Sequence, residues 1–365
     1  MIITYPHMGE AYIAVKGIFD NLGIKSIIAP FTTEDTLRLG SRESPECVCL
    51  PFKITLGNYI KSIEAGADTI VITGSCGPCR FGYYGPLQKQ ILQDMGYDVD
   101  FIIIDPPKEN PLDFLHNIKK LSNGKTSKAI KSIYDAYKVC IEIDKLNEIQ
   151  YYVRPRTKNK SIINNIMYNF KREVLDAHGT KEIIEVIKAT GNKLLSIPID
   201  KNTKPLKIGI IGEIYTIIEP FSNLNVEERL GNMGAEIHRS MTIKHWAENN
   251  LIMPATGRKG YKMEKRLSNP YIPVLIGGHT QQCIGHAINY ANLNYDGLVQ
   301  IYPMTCMPEI VSRTILSQIE KDYNIPILYL IVDEQVGEAG YQTRLEAFVD
   351  YLRERKYNHK LSEKF

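Results

Sequence analysis

Thr69-Ile70-Val71-Ile72-Thr73, followed at once by Gly74-Ser75-Cys76-Gly77-Pro78-Cys79, is the stretch that decides the fold. Its first five residues form a short apolar run rich in β-branched side chains, which is typical of a strand buried on both faces. The glycines, serine and proline that follow indicate a loop where that strand ends. The stretch therefore predicts a parallel sheet with cysteines beyond the carboxyl end of a strand.

The residues on either side alternate between strand and helix patterns. Apolar runs at residues 26–29 and 99–104 predict further strands, and the chain begins in another one. Three helices are predicted between the strands, each followed by a glycine suited to a helix C-cap: residues 10–22 with Gly23, 51–65 with Gly66, and 86–95 with Gly96. Residues 1–105 are therefore predicted to form a Rossmann-like, doubly wound α/β domain.

Two more regions follow this domain. Residues 106–200 are helical in pattern, with long helices predicted at 129–146 and 161–178. Residues 201–365 return to alternation, with strands predicted at 207–212, 297–303 and 326–332 and helices at 308–323 and 341–355. We predict an α/β fold with two Rossmann-like domains, parallel sheets and a helical insert between them.

The composition narrows the class of protein. A chain of 365 residues that is 44% hydrophobic and 23% charged is expected to be soluble, globular and divided into domains. A net charge of +3 gives no reason to expect a nucleic-acid partner, and no apolar run approaches the roughly 20 residues that cross a bilayer. The N-terminal residues do not resemble a signal peptide. We expect a cytoplasmic protein, in which cysteines remain reduced and serve metal or redox chemistry.

Six of the seven cysteines lie in contexts typical of loops or helix starts: Cys47, Cys49, Cys76, Cys79, Cys283 and Cys306. Cys140 lies in a helical run and is interpreted as a core residue. Ligands of parallel sheets bind beyond the carboxyl ends of the strands, so we expect the six to be accessible and to converge on one metal centre. Cys49-Leu50-Pro51 and Cys306-Met307-Pro308 each place a cysteine where a helix begins, and the helix dipole there favours a thiolate.

The spacing alone leaves the metal open. A C-x-C and a C-x-x-C pair suit a redox dithiol or one tetrahedral zinc, and zinc would leave Cys283 and Cys306 without a role. Iron–sulfur clusters use three or four thiolates each, so six cysteines suit one large cluster or two small ones. The catalytic candidates are His279 as a proton donor, Arg80 as a partner for negative charge, and Glu309, whose place at a helix start also suits an ordinary cap.

Several motifs resemble one known family. Cys47-Val48-Cys49-Leu50-Pro51-Phe52-Lys53 and Gly77-Pro78-Cys79-Arg80-Phe81-Gly82-Tyr83-Tyr84 resemble the 2-hydroxyacyl-CoA dehydratase component superfamily. Within it they are most similar to the activase-associated and double-cubane-cluster proteins. Met304-Thr305-Cys306-Met307-Pro308-Glu309 and Gly337-Glu338-Ala339-Gly340 extend the resemblance to the C-terminal domain.

The resemblance implies an iron–sulfur reductase or dehydratase-like component, reduced at low potential by a separate ATP-hydrolysing activator and acting on a small molecule. Cys49, Cys79 and Cys306 would hold one cubane. Cys47, Cys76 and Cys283 would hold a second, so a double cubane is favoured over a single 4Fe–4S cluster. The resemblance also implies a homodimer. The chain has no Walker-type motif, so ATP would act only through the partner. The alternative is a non-catalytic electron-relay or scaffold subunit with a single cubane or a structural zinc.

Overall fold

The chain divides into two compact units in this computed structural model, which describes residues 1–74, 79–105, 111–122 and 124–362. Unit 1 comprises Met1–Asp144, Phe170–Ala189 and Thr242–Gly260, and unit 2 comprises Lys145–Asn169, Thr190–Met241 and Tyr261–Phe365. Each unit contains a parallel sheet with helices around it. The predicted α/β fold with two parallel sheets is confirmed.

The sheet of unit 1 has three parallel strands in the order β1-β2-β3, namely β1 (Ile3–Thr4), β2 (Thr69–Thr73) and β3 (Asp100–Ile104). The central strand β2 is the apolar run from which a buried strand was predicted, and four of its five residues are buried. The run predicted as a strand at residues 26–29 contributes a single parallel bridge, between Ser26 and Ile3. The chain therefore reaches the β1 edge of the sheet there without forming a strand.

Eight α-helices of the described chain precede the second sheet: α1 (Ala11–Leu22), α2 (Glu34–Glu43), α3 (Leu50–Glu64), α4 (Tyr84–Asp94), α5 (Pro111–Leu121), α6 (Thr126–Val153), α7 (Ser161–Asp176) and α8 (Gly179–Leu195). Short 3-10 helices lie at Arg80–Tyr83 and Arg154–Arg156. The three predicted glycine caps, Gly23, Gly66 and Gly96, all have the positive φ that favours glycine. Helices α5 to α8 supply the helical region predicted for residues 106–200, and their residues are shared between the two units.

The sheet of unit 2 has four parallel strands in the order β5-β4-β6-β7, namely β4 (Leu206–Gly212), β5 (Ala235–Arg239), β6 (Gly297–Pro303) and β7 (Ile327–Val332). Strand β5 lies on one side of β4, and β6 and β7 follow on the other. The strand order therefore reverses between β4 and β6, and ligands of such sheets bind beyond the carboxyl ends at this position.

The remaining α-helices of the described residues are α9 (Ile214–Ile218), α10 (Val226–Asn232), α11 (Ile243–Ala247), α12 (Met253–Ala255), α13 (Lys262–Ser268), α14 (Thr280–Asn292), α15 (Met307–Asp322) and α16 (Glu338–Ser362). A π-helical turn at Glu248–Ile252 joins α11 to α12. No described helix combines the length and the apolar character that crossing a membrane requires.

Helices α2 and α3 approach each other backbone to backbone. A Cβ atom at Gly40 would lie 1.8 Å from the carbonyl oxygen of Lys53, and a Cβ atom at Gly57 would lie 1.9 Å from the carbonyl oxygen of Thr36. These distances are far below any permitted contact, so only glycine fits at either crossing position. The placement of α3 against α2 therefore depends on glycine at both positions, because neither has a side chain.

We predict that Gly57→Ala destabilises the protein strongly. The added methyl group forces the two helix backbones apart, at a cost of about 3 kcal/mol or more. Urea unfolding followed by circular dichroism measures the effect as a lower midpoint.

Gly340→Ala is the matched control, because Gly340 also lies in a helix and its Cβ atom would meet nothing within 4 Å. It is expected to be neutral or to stabilise by up to about 1 kcal/mol. Equal midpoints for the two variants would contradict the close helix crossing.

Candidate metal centre

Cys49 occupies the N-cap position of α3. Its backbone is extended, with φ −78° and ψ 157°, and Pro51 lies in the first turn of the helix, as the C-x-P pattern predicts. Cys49 is partly exposed, and Cys47, two residues earlier, is exposed. The positive end of the α3 dipole lies at this position, so it favours a thiolate there.

Cys79 has the corresponding position after strand β2. It is the N-cap of a short 3-10 helix, Arg80–Tyr83, and it is partly exposed. The strand ends at Thr73, so Cys79 follows the carboxyl end of the central strand of the sheet, as expected. Cys76, the other cysteine of this segment, lies outside the described residues.

Two side chains connect the loop before α3 to the segment that starts at Cys79. The guanidinium group of Arg80 donates a hydrogen bond to the carbonyl oxygen of Cys47. The hydroxyl of Tyr84, the first residue of α4, is hydrogen-bonded to the Sγ atom of Cys49. These contacts bring the carbonyl of Cys47 and the sulfur atom of Cys49 against the segment that follows Cys79. Arg80, predicted as a partner for negative charge, lies in the same region.

Cys306 in unit 2 repeats the arrangement of Cys49. It is the N-cap of α15, Pro308 lies in the first turn, and the side chain is partly exposed. Strand β6 ends at Pro303, so Cys306 lies beyond the carboxyl end of one of the two strands where the sheet order reverses. Glu213 follows the other strand, β4, and its carboxylate accepts hydrogen bonds from the amides of Tyr215 and Thr216 as the N-cap of α9.

Cys283 is not accessible, in contrast to the expectation for all six cysteines. It is the fourth residue of α14, and only 1% of its surface is exposed. The predicted loop ends earlier than expected, because the helix begins at Thr280 and turns Cys283 into the core of unit 2 beside Ile211 and Leu316. Burial raises the pKa of the Cys283 thiol well above its ordinary value, and the nearby Glu309 raises it further. Its role as a ligand stays a prediction.

Glu309 lies beside Cys283 in the interior of unit 2, with 1% of its surface exposed. The side-chain amide of Gln300, on β6, donates a hydrogen bond to the Oε2 atom of Glu309 at 2.9 Å and lies 3.8 Å from the Sγ atom of Cys283. Burial raises the pKa of Glu309 to about 7, with hydrogen bonds from its neighbours acting in the opposite direction. The carboxyl group is therefore poised between its neutral and charged forms near neutral pH.

Gln300 was missed by sequence reasoning. The signal was a polar residue in the centre of an otherwise apolar strand run, which is costly unless the side chain has a hydrogen-bonding task. In the structure that task is the contact with Glu309. The Oε1 atoms of both side chains are buried and have no hydrogen-bond partner among the described residues.

The predicted proton donor His279 is the N-cap residue of α14 and is partly exposed. Its carbonyl oxygen accepts the amide hydrogen of Cys283 at 2.8 Å. A second histidine on the same helix, His286, is buried, and its Nε2 atom lies 3.4 Å from a carboxylate oxygen of Glu264 on α13. His279 is therefore the more exposed of the two, which suits a proton-transfer role better.

A scan of the chain against protein-family models gives no match, and a search of curated proteins gives no match either.

We predict that Glu309 makes the stability of the protein fall as the pH rises. The pKa of its carboxyl is about 7 in the folded protein and 4.5 for an unperturbed carboxyl, so the folded state binds more protons between these values. The contribution of Glu309 to the free energy of unfolding is fully present below pH 4.5 and is lost as the pH rises through about 7. The loss is up to about 3 kcal/mol. Comparing unfolding midpoints at about pH 5 and about pH 8 should therefore show a smaller fall for Glu309→Gln than for the wild type.

Glu354→Gln is the control for this measurement, because Glu354 is an exposed glutamate on α16. It is expected to show the pH response of the wild type. An unchanged pH response in Glu309→Gln would show that the buried carboxyl does not titrate in this range.

Proposed function

We propose that the protein is an iron–sulfur reductase or dehydratase-type component that acts on a small molecule at its cluster. The observation that carries the proposal is the contact between the Cys47–Cys49 loop and the segment that starts at Cys79, made by Arg80 and Tyr84. All three cysteines are at least partly exposed, and Cys49 and Cys79 are helix N-caps. Cys79 also follows the carboxyl end of a parallel strand, where ligands of such sheets bind. The resemblance of their motifs to the 2-hydroxyacyl-CoA dehydratase components supports the same chemistry.

The donor set of unit 1 fits an iron–sulfur cluster. Such clusters are held by thiolates, and three thiolates suffice for a cubane with one iron open to a substrate. A cluster of this kind supplies electrons at low potential. Arg80 places a guanidinium group beside the carbonyl of Cys47, where it would offset the negative charge that thiolates and sulfides accumulate. The N-terminal amides of α3 act in the same direction at Cys49.

The other predicted cysteine ligands differ in how well they are suited to bind metal. Cys306 has the exposure and the helix position of Cys49, so it is equally suited to bind metal. Cys283 would have to ionise in an apolar interior beside a carboxyl group, which burial opposes. The burial of Cys283 therefore favours a single cubane over the predicted double cubane.

The partners in the proposal rest on the resemblance. A separate ATP-hydrolysing activator would deliver the electron, since the chain itself has no Walker-type motif. The protein would act as a homodimer in the cytoplasm.

We predict that Cys49→Ser loses most of the iron that the wild type binds. The hydroxyl of serine is a far poorer ligand for iron than a thiolate, and the N-cap position remains satisfied because serine is a favourable N-cap residue. Iron and acid-labile sulfide per chain are measured after purification without oxygen, together with the visible absorption spectrum.

Cys140→Ala is the matched control, because Cys140 is buried and burial raises the pKa of its thiol to about 12. It is expected to keep the wild-type iron. Cys283→Ala distinguishes the two cluster types, since a single cubane keeps its iron and a double cubane loses about half. Equal iron in Cys49→Ser and the wild type, or zinc in place of iron, would contradict the proposal.

A further inference from the structure

The hydroxyl of Tyr84 is hydrogen-bonded to the Sγ atom of Cys49, across 35 positions of sequence. The contact joins the first residue of α4 to the N-cap residue of α3. A neutral thiol and a phenol can each donate or accept in such a contact. A thiolate has no proton to donate, so when Cys49 is a thiolate the tyrosine hydroxyl must be the donor.

The ring of Tyr84 is held by packing. Only 4% of its surface is exposed, and its ring packs edge to face on Phe52 at 4.9 Å between centroids and against Phe81 at 5.1 Å. Phe52 lies on α3, three residues after Cys49. Helix α3 therefore carries the sulfur atom at its N-cap and also supports the ring that carries the hydroxyl.

The surroundings of this hydrogen bond strengthen it. Tyr84 belongs to the core of unit 1, together with Phe52, Ile72 and Leu92, and Cys49 packs against the edge of that core. Hydrogen bonds in such partly apolar surroundings are electrostatically stronger than hydrogen bonds in water. Hydrogen bonds to anions are also stronger than those between neutral groups. A buried phenol beside a thiolate meets both conditions.

We infer that Tyr84 is a positioning residue for the cluster of the proposed function, and that its hydroxyl raises the reduction potential of that cluster by donating a hydrogen bond to the Cys49 thiolate. The inference rests on the proposed function. Hydrogen bonds to the sulfur atoms are among the factors that set the potentials of iron–sulfur clusters. Reduction adds negative charge that spreads onto the sulfur ligands, so a donated hydrogen bond stabilises the reduced form more than the oxidised form.

The test compares Tyr84→Phe with the wild type in two measurements. The substitution keeps the ring that packs on Phe52 and removes only the hydroxyl. The first measurement is the reduction potential of the iron-loaded protein, by redox titration without oxygen. The second is the rate at which Cys49 in the metal-free protein reacts with iodoacetamide at fixed neutral pH, followed by mass spectrometry of the Cys49 peptide.

Tyr83→Phe is the matched control. It removes the same atom from the adjacent residue, whose side chain is 65% exposed. It tests whether loss of any tyrosine hydroxyl in this segment has the same effect.

Tyr84→Phe is expected to bind iron like the wild type and to have a lower reduction potential, by about 59 mV for each tenfold change in the equilibrium constant of one-electron reduction. Its Cys49 is expected to react up to about tenfold more slowly, because a thiolate without the hydrogen bond is less stable relative to the thiol. Tyr83→Phe is expected to match the wild type in both measurements.

The outcomes separate this inference from the proposed function. A wild type that binds no iron overturns the proposed function and with it the role of Tyr84 at a cluster, and the alkylation rates then still show whether the hydroxyl stabilises the thiolate. An iron-loaded Tyr84→Phe with the potential of the wild type, or one that differs from the wild type only as Tyr83→Phe does, overturns the inference alone.

Discussion

The close approach of α2 and α3 at Gly40 and Gly57 is the constraint on which the arrangement of unit 1 depends. Because carbonyl oxygens lie where Cβ atoms would be, the two backbones can pack only with glycine at both positions. Helix α3 is almost entirely buried, so its position is fixed along its whole length. Its N-terminus then places Cys49 within reach of Tyr84, and Phe52 supports the tyrosine ring.

Both units place partly exposed cysteines at the N-caps of helices. Cys49, Cys79 and Cys306 are each the residue before a helix begins, and each is partly exposed. Cys79 and Cys306 also follow the carboxyl ends of buried parallel strands, where the connecting segments of such sheets gather. Unit 2 also contains a buried polar cluster, formed by Gln300, Glu309 and Cys283, which lies in its interior.

Sequence reasoning succeeded where a local pattern matched the tertiary environment. Strands β2 and β6 are apolar runs and both lie at the predicted positions, and the C-x-P signals correctly mark the starts of α3 and α15. It missed α2, whose buried residues are Thr36 and Gly40, because small side chains leave no hydrophobic periodicity. It missed β5 because Glu236 and His238 interrupt the apolar pattern. In the structure Glu236 pairs with both His238 and Arg156, and these contacts cannot be inferred from the sequence. The burial of Cys283 was missed because it was expected in an accessible loop or helix start, whereas α14 begins at Thr280 and carries it into the core.

The central claim is that the cysteines of this chain hold an iron–sulfur cluster. The most direct test is the amount of iron, zinc and acid-labile sulfide per chain in the wild-type protein, purified without oxygen and reconstituted with iron and sulfide. We expect a brown protein with iron and sulfide in about equal amounts, about four of each for a single cubane. A colourless protein that contains zinc, or no metal after reconstitution, would contradict it.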